Sequence, residues 1–377
     1  MQLTDDERDQ LRITARRFLG EEAGIDRVRA LLDDADGYER SVWAAMAGLG
    51  WLAVHLPEEH GGMGASYTDL AVLLHEMGRA VTPGPFVASA VLAAEALLRC
   101  DNDALRAELL PSIAAGERIV TVANLAPSGS ASASQLGVTW RNEGGVRLSG
   151  TARFVPHAHV ADAIVVSARD TSGAVTLGLV EAGAPGVRVT LEPMFDQTRR
   201  LSRVDLDDVA VRDHRLLGPP GALTALHERL VDVGALAVSI DALGAAEHML
   251  EESSQYAKER HQFGRPIGSF QAVKHHCANM LIFVEGSRAA AAFATSTFDD
   301  PTAGLSPDVG EAASVVKSYG APACADACEL AVQVHGGIGF TWEHDAHLYL
   351  KRTKLAEALY GSTSWHRRRL AARALAS

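Results

Sequence analysis

The feature that most constrains the fold is a change of hydrophobic period along the chain, from helical to strand-like and back to helical. In the first third, Leu3, Leu11 and Phe18 recur near helical spacing, and Thr4 is a residue typical of helix N-caps. The same spacing predicts further helices at residues 38–50, 67–80, 86–99 and 104–115.

The middle of the chain has a strand pattern. Short β-branched segments are separated by Gly, Asp or Asn, which is typical of an antiparallel β domain. They lie at residues 119–123, 145–153, 163–168, 174–180 and 186–191, and the breakers Gly218 to Gly221 end the region.

Long helical segments return after residue 221. They lie at residues 230–259, 270–298, 309–334 and 344–359, with a turn-rich linker at 299–304. We therefore predict an α+β fold in three domains: an N-terminal helical domain (1–117), a middle antiparallel β domain (118–221) and a C-terminal four-helix bundle (222–377).

Composition excludes several classes of protein. The 377 residues carry a formal net charge of -12, which repels nucleic acid backbones. The first ten residues lack the apolar run of a secretory signal, and Asp232 and Asp241 interrupt the most apolar segment, 231–246, so no membrane span is expected. Four cysteines predict a reduced, cytoplasmic setting. Cys324 and Cys328 lack two further metal ligands, and we interpret them as packing residues.

Three segments resemble the acyl-CoA dehydrogenase family. The first is Tyr-Ala-Lys-Glu-Arg-His-Gln-Phe-Gly-Arg-Pro-Ile from residue 256, followed by Phe270-Gln271. The second is Gln-Val-His-Gly-Gly-Ile-Gly-Phe-Thr from residue 333, and the third, weaker match is Pro-Glu-Glu-His-Gly-Gly from residue 57. In family order they span the first, middle and last thirds of the chain, and the resemblance implies the family's fold and FAD as cofactor.

The residue chemistry of the two stronger segments agrees with this resemblance. Arg260 ends a predicted helix, where a guanidinium can hold a pyrophosphate through paired, charge-assisted hydrogen bonds. Gly336 and Gly337 permit close approach of a ligand to the backbone. In the family both segments reach the FAD of a neighbouring subunit, which implies an oligomer. The implied cofactor-binding residues are Arg260, Gln262, Phe263, Gln333, Gly336 and Gly337, with Thr363 as a weaker candidate from the family's flavin-contacting loop.

The family's catalytic base is missing. The resemblance places a glutamate at Gly361, in the stretch Tyr360 to Thr363, or in some relatives at Gly234. Glycine cannot accept a proton, so we assign no catalytic residue. Asp241 or Glu228 could replace the base, although a carboxylate in the apolar stretch around Asp241 is expected to be paired.

The segments that would seat the chain's own flavin also depart from the family. The loop that in the family reads Thr-Glu-Pro-x-Ala-Gly-Ser-Asp is Asn-Leu-Ala-Pro-Ser-Gly-Ser from residue 124. The family's Trp-(Ile/Val)-(Thr/Ser) element is Phe154-Val155-Pro156, and proline has no backbone donor.

These losses suggest the non-catalytic subunit of a heteromeric acyl-CoA dehydrogenase of the actinobacterial steroid type. Such a subunit lends its FAD contacts to a catalytic partner subunit, in a heterotetramer with half the usual number of FADs. The resemblance implies an acyl-CoA substrate and electron-transfer flavoprotein as acceptor. Two alternatives remain open: a self-sufficient FAD-dependent dehydrogenase with a displaced base, and a flavin monooxygenase or non-oxidising thioester-binding protein of the same fold.

Overall fold

The computed structural model describes residues 2–300 and 304–376, so the middle of the predicted linker, 301–303, lies outside the described residues. Up to residue 114, the regular secondary structure of the chain is helical. The first begins behind Thr4, whose hydroxyl accepts a hydrogen bond from the Glu7 N–H, while the Glu7 carboxylate accepts one from the Thr4 N–H. These elements are α1 (Asp5–Glu22), α2 (Ile25–Leu31), α3 (Arg40–Gly48), α4 (Tyr67–Arg79), a π-helical stretch (Val87–Ala93) continuing into α5 (Ala94–Leu98), and α6 (Asp103–Ala114).

A seven-stranded sheet follows, in the order β1-β4-β2-β3-β7-β6, with β5 paired to β4. Its strands are β1 (Val120–Ala123), β2 (Val138–Asn142), β3 (Val146–Pro156), β4 (Ala163–Arg169), β5 (Val175–Glu181), β6 (Val187–Glu192) and β7 (Leu201–Val211). The predicted antiparallel sheet is in fact mixed, because the β2–β3 hairpin intervenes before the chain returns and β4 pairs parallel to β1 and β2. Strands β2 and β7 were missing from the prediction.

The C-terminal part is helical, which confirms the predicted order of helices, sheet and helices. Between its first two long helices lies a short hairpin. The elements are α7 (Thr224–Glu259), β8 (His261–Gln262), β9 (Arg265–Pro266), α8 (Gln271–Phe298), α9 (Pro307–His335), α10 (Ala346–Ala358) and α11 (Thr363–Ala376). Helix α11 adds a fifth helix to the four predicted ones. Among the described residues, no helix is both long and apolar enough to cross a membrane.

Helix α4 crosses α7 at very short range, and this contact joins the two helical parts. A Cβ built on Gly78 would lie 1.9 Å from the Asp241 carbonyl oxygen, and one built on Gly244 would lie 1.9 Å from the His75 carbonyl oxygen. Only glycine therefore fits at either crossing point. Nearer the start of α7, Arg229 Nε donates to Glu95 Oε1 of α5 over 2.7 Å, and both side chains are buried. Helix α7 is thus the central support for both helical parts.

Candidate functional site

The ends of α7 and α9 lie side by side, which brings the two stronger sequence motifs together. The ring of Tyr256 on α7 stacks on the ring of His335, the last residue of α9, with centroids 4.6 Å apart. His335 also packs on His344 at 4.3 Å and is buried. His335 is therefore a packing residue that fixes the spacing of the motifs. We call the surface formed by residues 260–264 and 333–340 the end face.

The α7 side of the end face presents polar and aromatic groups to solvent. Arg260 leaves the helix in an extended conformation, and its N–H donates to the Tyr256 carbonyl. Arg260 and Gln262 are exposed, and in the described part of the chain the Arg260 guanidinium has no hydrogen-bond or ion-pair partner. Phe263 is 91% exposed and its ring touches Phe270 at a centroid distance of 6.0 Å. These three side chains contribute little to the packing of this chain.

The α9 side of the end face is open backbone. Gln333 and Gly337 are exposed, and Gly336 turns the chain at φ 66° and ψ -140°, a conformation that favours glycine. A Cβ built on Gly336 or Gly337 would meet no atom within 4 Å. The packing of this chain does not require glycine at 337. A ligand that approached the backbone closely would require it.

Thr363 lies elsewhere, beside a groove between the sheet and the C-terminal helices. It begins α11, and its buried Oγ1 has no hydrogen-bond partner among the described residues. Thr363 is therefore not part of the end face. The groove is lined by residues that include Ser128, Gly129, Ser130, Phe154, Gly361, Ser362, Trp365 and Arg368.

The sheet side of the groove offers few free backbone donors to a flavin. The loop on its sheet side is closed on itself, because the Ala126 N–H donates to the Ser130 carbonyl and the Gly129 N–H donates to the Ala126 carbonyl. The Phe154 ring lies 3.5 Å from where a Gly129 Cβ would stand, and the Arg153 guanidinium packs over that ring at 5.0 Å. The sheet side of the groove therefore offers a flavin ring few free backbone N–H groups.

The structure closes the two positions, Gly361 and Gly234, at which the sequence resemblance places a catalytic glutamate. A Cβ built on Gly361, at φ 98°, would lie 2.6 Å from Trp365 Cε3 and 2.8 Å from His366 Nε2. His366 is fixed, since its two ring nitrogens lie 3.0 Å from Ser314 Oγ and 2.9 Å from the Tyr360 carbonyl oxygen. Burial lowers the pKa of His366 to about 3, so it is neutral. No side chain fits at Gly361 without moving this cluster.

Gly234 is closed by the ring of Tyr360. A Cβ on Gly234 would lie 2.6 Å from Tyr360 Cδ1, and Tyr360 is almost fully buried. Tyr360 itself has φ 56°, and the buried Lys317 donates hydrogen bonds to the Glu357 carbonyl over 2.8 Å and the Gly361 carbonyl over 3.0 Å. Sequence reasoning missed Lys317, Trp365 and His366. The Trp-His pair that begins four residues after Gly361 was the sequence signal that large side chains would fill this position.

The carboxylate of Asp241 is paired. Arg352 Nε and Nη2 donate to its two oxygens over 2.9 and 2.7 Å, and Arg199 Nη2 lies 2.8 Å from Oδ2. Burial acts to raise the pKa of Asp241, but the two guanidiniums outweigh it, so the pKa is lowered. An ionised, doubly paired carboxylate is a poor proton acceptor.

Glu228 is in a different situation. Its side chain is exposed, although partial burial still raises the pKa of its carboxyl group, against the smaller opposing effect of Arg369. It lines a cavity that shares Ala131 and Trp365 with the groove. Of the two carboxylates considered as replacement bases, Glu228 has the more suitable environment.

Comparison with known proteins assigns the family. The model for "Acyl-CoA dehydrogenase, N-terminal domain" matches residues 5–117, and that for the C-terminal domain matches residues 224–375. The acyl-CoA dehydrogenase IpdE2 of Mycolicibacterium smegmatis is 32% identical over 97% of this chain and 98% of its own length. The acyl-CoA dehydrogenase FadE34 of Mycobacterium tuberculosis is 35% identical over 89% of this chain, but the chain spans only 42% of FadE34. The chain therefore belongs to the acyl-CoA dehydrogenase family.

Solved structures give the same fold. The ChsE4-ChsE5 complex from Mycobacterium tuberculosis matches with a TM-score of 0.89 and 29% identity, over 100% of this chain and 98% of the matched chain. A variant of the Tcur3481-Tcur3483 "steroid ACAD" matches with a TM-score of 0.87 and 32% identity, over 99% of both chains.

Proposed function

We propose that this chain is the non-catalytic subunit of a heteromeric acyl-CoA dehydrogenase. The observation that carries the proposal is the closure of both base positions, at Gly361 by Trp365 and His366 and at Gly234 by Tyr360. A subunit that performed the reaction needs a carboxylate within hydrogen-bonding reach of the substrate α carbon. This chain instead fills that space with its own rings.

The end face supports the second half of the proposal. Arg260, Gln262 and Phe263 are exposed beside the open backbone of Gly336 and Gly337. When FAD is bound by a catalytic partner, Arg260 would pair with its pyrophosphate, while the glycines let that phosphate group approach the backbone. The amide of Gln333, exposed on the same surface, would add a hydrogen bond. FAD supplies the hydride acceptor for the reaction.

The relatives support a heteromeric, steroid-type assembly. One structural relative is described as a complex of two differently named chains, and another as a steroid ACAD. FadE34 leaves more than half of its length outside the match, enough for a second unit of this size. We accordingly propose the CoA thioester of a steroid side chain as substrate and an electron-transfer flavoprotein as acceptor. The four free cysteines support a cytoplasmic location. The limits of the family models support domain boundaries near 117 and 222.

A test of the lending role uses Arg260→Met in a complex co-purified with its catalytic partner. We expect FAD retention to fall at least tenfold, since charge-assisted pairs to phosphate are lost. Arg17→Met is the matched control, because Arg17 is exposed and unpaired among the described residues but lies on α1. Equal FAD retention in both variants would contradict the proposal.

The second candidate is a self-sufficient dehydrogenase, and the raised pKa of Glu228 favours it. Under that hypothesis the lone chain is yellow and oxidises an acyl-CoA, and Glu228→Gln abolishes turnover. Under the proposal made here, the lone chain turns over no substrate and Glu228→Gln leaves the activity of the complex unchanged. Acyl-CoA oxidation by the lone wild-type chain separates the two.

A further inference from the structure

A second cavity lies between the N-terminal helices and the loops that follow β3 and precede β7. We call it the chamber, and its wall includes Val42, Trp43, Met46, Phe86, His157 and Arg199. Among the described residues, it shares only Leu359 with the lining of the groove. The chamber is therefore a separate cavity from the one beside Gly361.

Most of the chamber wall is apolar. Trp43 and Met46 of α3, Met77 of α4 and Phe86 line it, and all four side chains are buried. The space open to the centre of a water molecule is about 60 Å³, which is room for about four waters. Four waters take up about 120 Å³ of liquid, the volume of an organic molecule of about six heavy atoms. The chamber therefore fits a small, partly apolar ligand.

One part of the wall carries buried polar groups without partners. Arg199 is 8% exposed, and among the described residues the only polar contact of its guanidinium is the ion pair with Asp241. Its Nη2 is not in hydrogen-bonding geometry there. Three further buried atoms of the wall lack a hydrogen-bond partner in the described chain: His157 Nδ1, Thr82 Oγ1 and Arg200 Nε. Since a buried polar group without a partner is costly, this arrangement favours a ligand that accepts hydrogen bonds.

The same part of the wall is positively charged. Its charged groups are three arginines and one carboxylate: Arg199, Arg200, Arg352 and Asp241. Both Asp241 oxygens already accept from Arg352, which also donates to the Thr82 carbonyl over 3.1 Å, so these groups lie together. With the buried Asp196 nearby included, three positive charges stand against two negative ones. A ligand with one negative charge would balance the excess.

We infer that the chamber binds a short-chain aliphatic carboxylate, with its oxygens on Arg199 and Thr82 and its hydrocarbon part against Trp43 and Met46. A planar carboxylate accepts paired, charge-assisted hydrogen bonds from a guanidinium. The volume is too small for a CoA thioester or a steroid acid. Because the chamber is separate from the groove, this ligand is additional to the acyl-CoA substrate, and the inference does not depend on the proposed function.

The chamber opens to solvent between α2 and α3. Glu22 and Arg27 are exposed there and Glu39 is half-buried. Arg27 Nη1 lies 3.5 Å from the Glu22 carboxylate and 3.2 Å from that of Glu39. Exposed ion pairs of this kind are weak. A small anion can therefore pass between these side chains.

The test is isothermal titration of sodium butyrate into the full chain co-purified with its catalytic partner, with each variant made in this chain alone. We expect saturable binding, which Thr82→Val weakens about tenfold or more and Arg199→Met abolishes. Thr82→Val removes a hydroxyl that has no partner in the described chain, so it should fold like the wild type. Thr190→Val, at an exposed position of β6, is the matched control and should keep the wild-type affinity.

The apolar half of the site is tested separately. Val42→Phe adds a ring to the chamber wall without changing its charge, and it should abolish butyrate binding. Neither 1-butanol, which lacks the charge, nor inorganic phosphate, which lacks the hydrocarbon part, should compete with butyrate. Thr82→Val and Val42→Phe decide the question even if Arg199→Met does not fold.

Three results would overturn the inference. The first is the absence of saturable butyrate binding to the wild type. The second is an equal affinity in the wild type, Thr82→Val and Val42→Phe, because butyrate would then bind elsewhere. The third is competition by phosphate as strong as that of butyrate, which would show a general anion site. FAD per heterodimer, measured on the same samples, tests the proposed function independently of the butyrate result.

Discussion

Placing a side chain at Gly361 tests whether Trp365 and His366 leave room for one at this position. We expect Gly361→Ala and Gly361→Glu to destabilise the protein by similar amounts, because the conflict arises at the Cβ. The φ of 98° costs a non-glycine residue about 1–2 kcal/mol. Contacts of 2.6 Å to Trp365 and 2.8 Å to His366 add about 1–3 kcal/mol, as in other overpacked cores. The expected total is about 2–5 kcal/mol.

The assay is urea unfolding followed by circular dichroism, with acyl-CoA oxidation measured on the same samples. Gly48→Ala is the control, because a Cβ there meets nothing within 4 Å, and its stability should stay equal or rise by up to about 1 kcal/mol. If Gly361→Ala is as stable as the wild type, the conclusion that Trp365 and His366 leave no room for a side chain at this position is refuted. Acyl-CoA oxidation by the lone Gly361→Glu chain would refute the interpretation of the groove as non-catalytic.

Three further outcomes follow from buried groups. Burial lowers the pKa of Lys317 to about 7 from 10.5, so folded Lys317 loses its proton before the unfolded chain does and stability rises with pH between these values. Replacing it in Lys317→Met should remove about 3 kcal/mol of that rise between pH 7 and pH 10, and a rise of equal size in the variant would contradict this. Asp241→Asn should cost about 3–5 kcal/mol, because Arg352 and Arg199 lose their counter-charge; a stable variant that has lost only turnover would favour a catalytic Asp241. Gly78→Ala should prevent folding at 37 °C, given its 1.9 Å approach to α7, and soluble wild-type yields would show that α4 can shift.

Strand β7 shows why part of the fold escaped sequence analysis. Acidic residues are depleted in strands, so the stretch around Asp205 and Asp208 does not show a strand pattern. The fold offsets their charge through partners distant in sequence: Asp208 accepts from Arg147 over 2.7 Å, and Asp205 accepts from Thr151 over 2.7 Å. By contrast, the long helices follow local periodicity: the predicted bounds of α8, α9 and α10 lie within two residues of the observed ones, and α7 begins six residues earlier than predicted.

The candidate site divides in the same way. Sequence analysis identified Arg260 and Gly336, and the glycines at 361 and 234, because each of these is a property of a single position. It did not contain the Tyr256–His335 stack that joins the motifs, or the rings that close the base positions. Those contacts join helices far apart in the chain, and only the packed structure specifies them.

Counting FAD in the purified assembly tests the central claim most directly. The chain is co-expressed with a candidate catalytic partner, and bound FAD is measured against the moles of each polypeptide. The account predicts one FAD for every two chains, and little FAD on this chain when it is purified alone. One FAD per chain in an assembly of this polypeptide alone would contradict it.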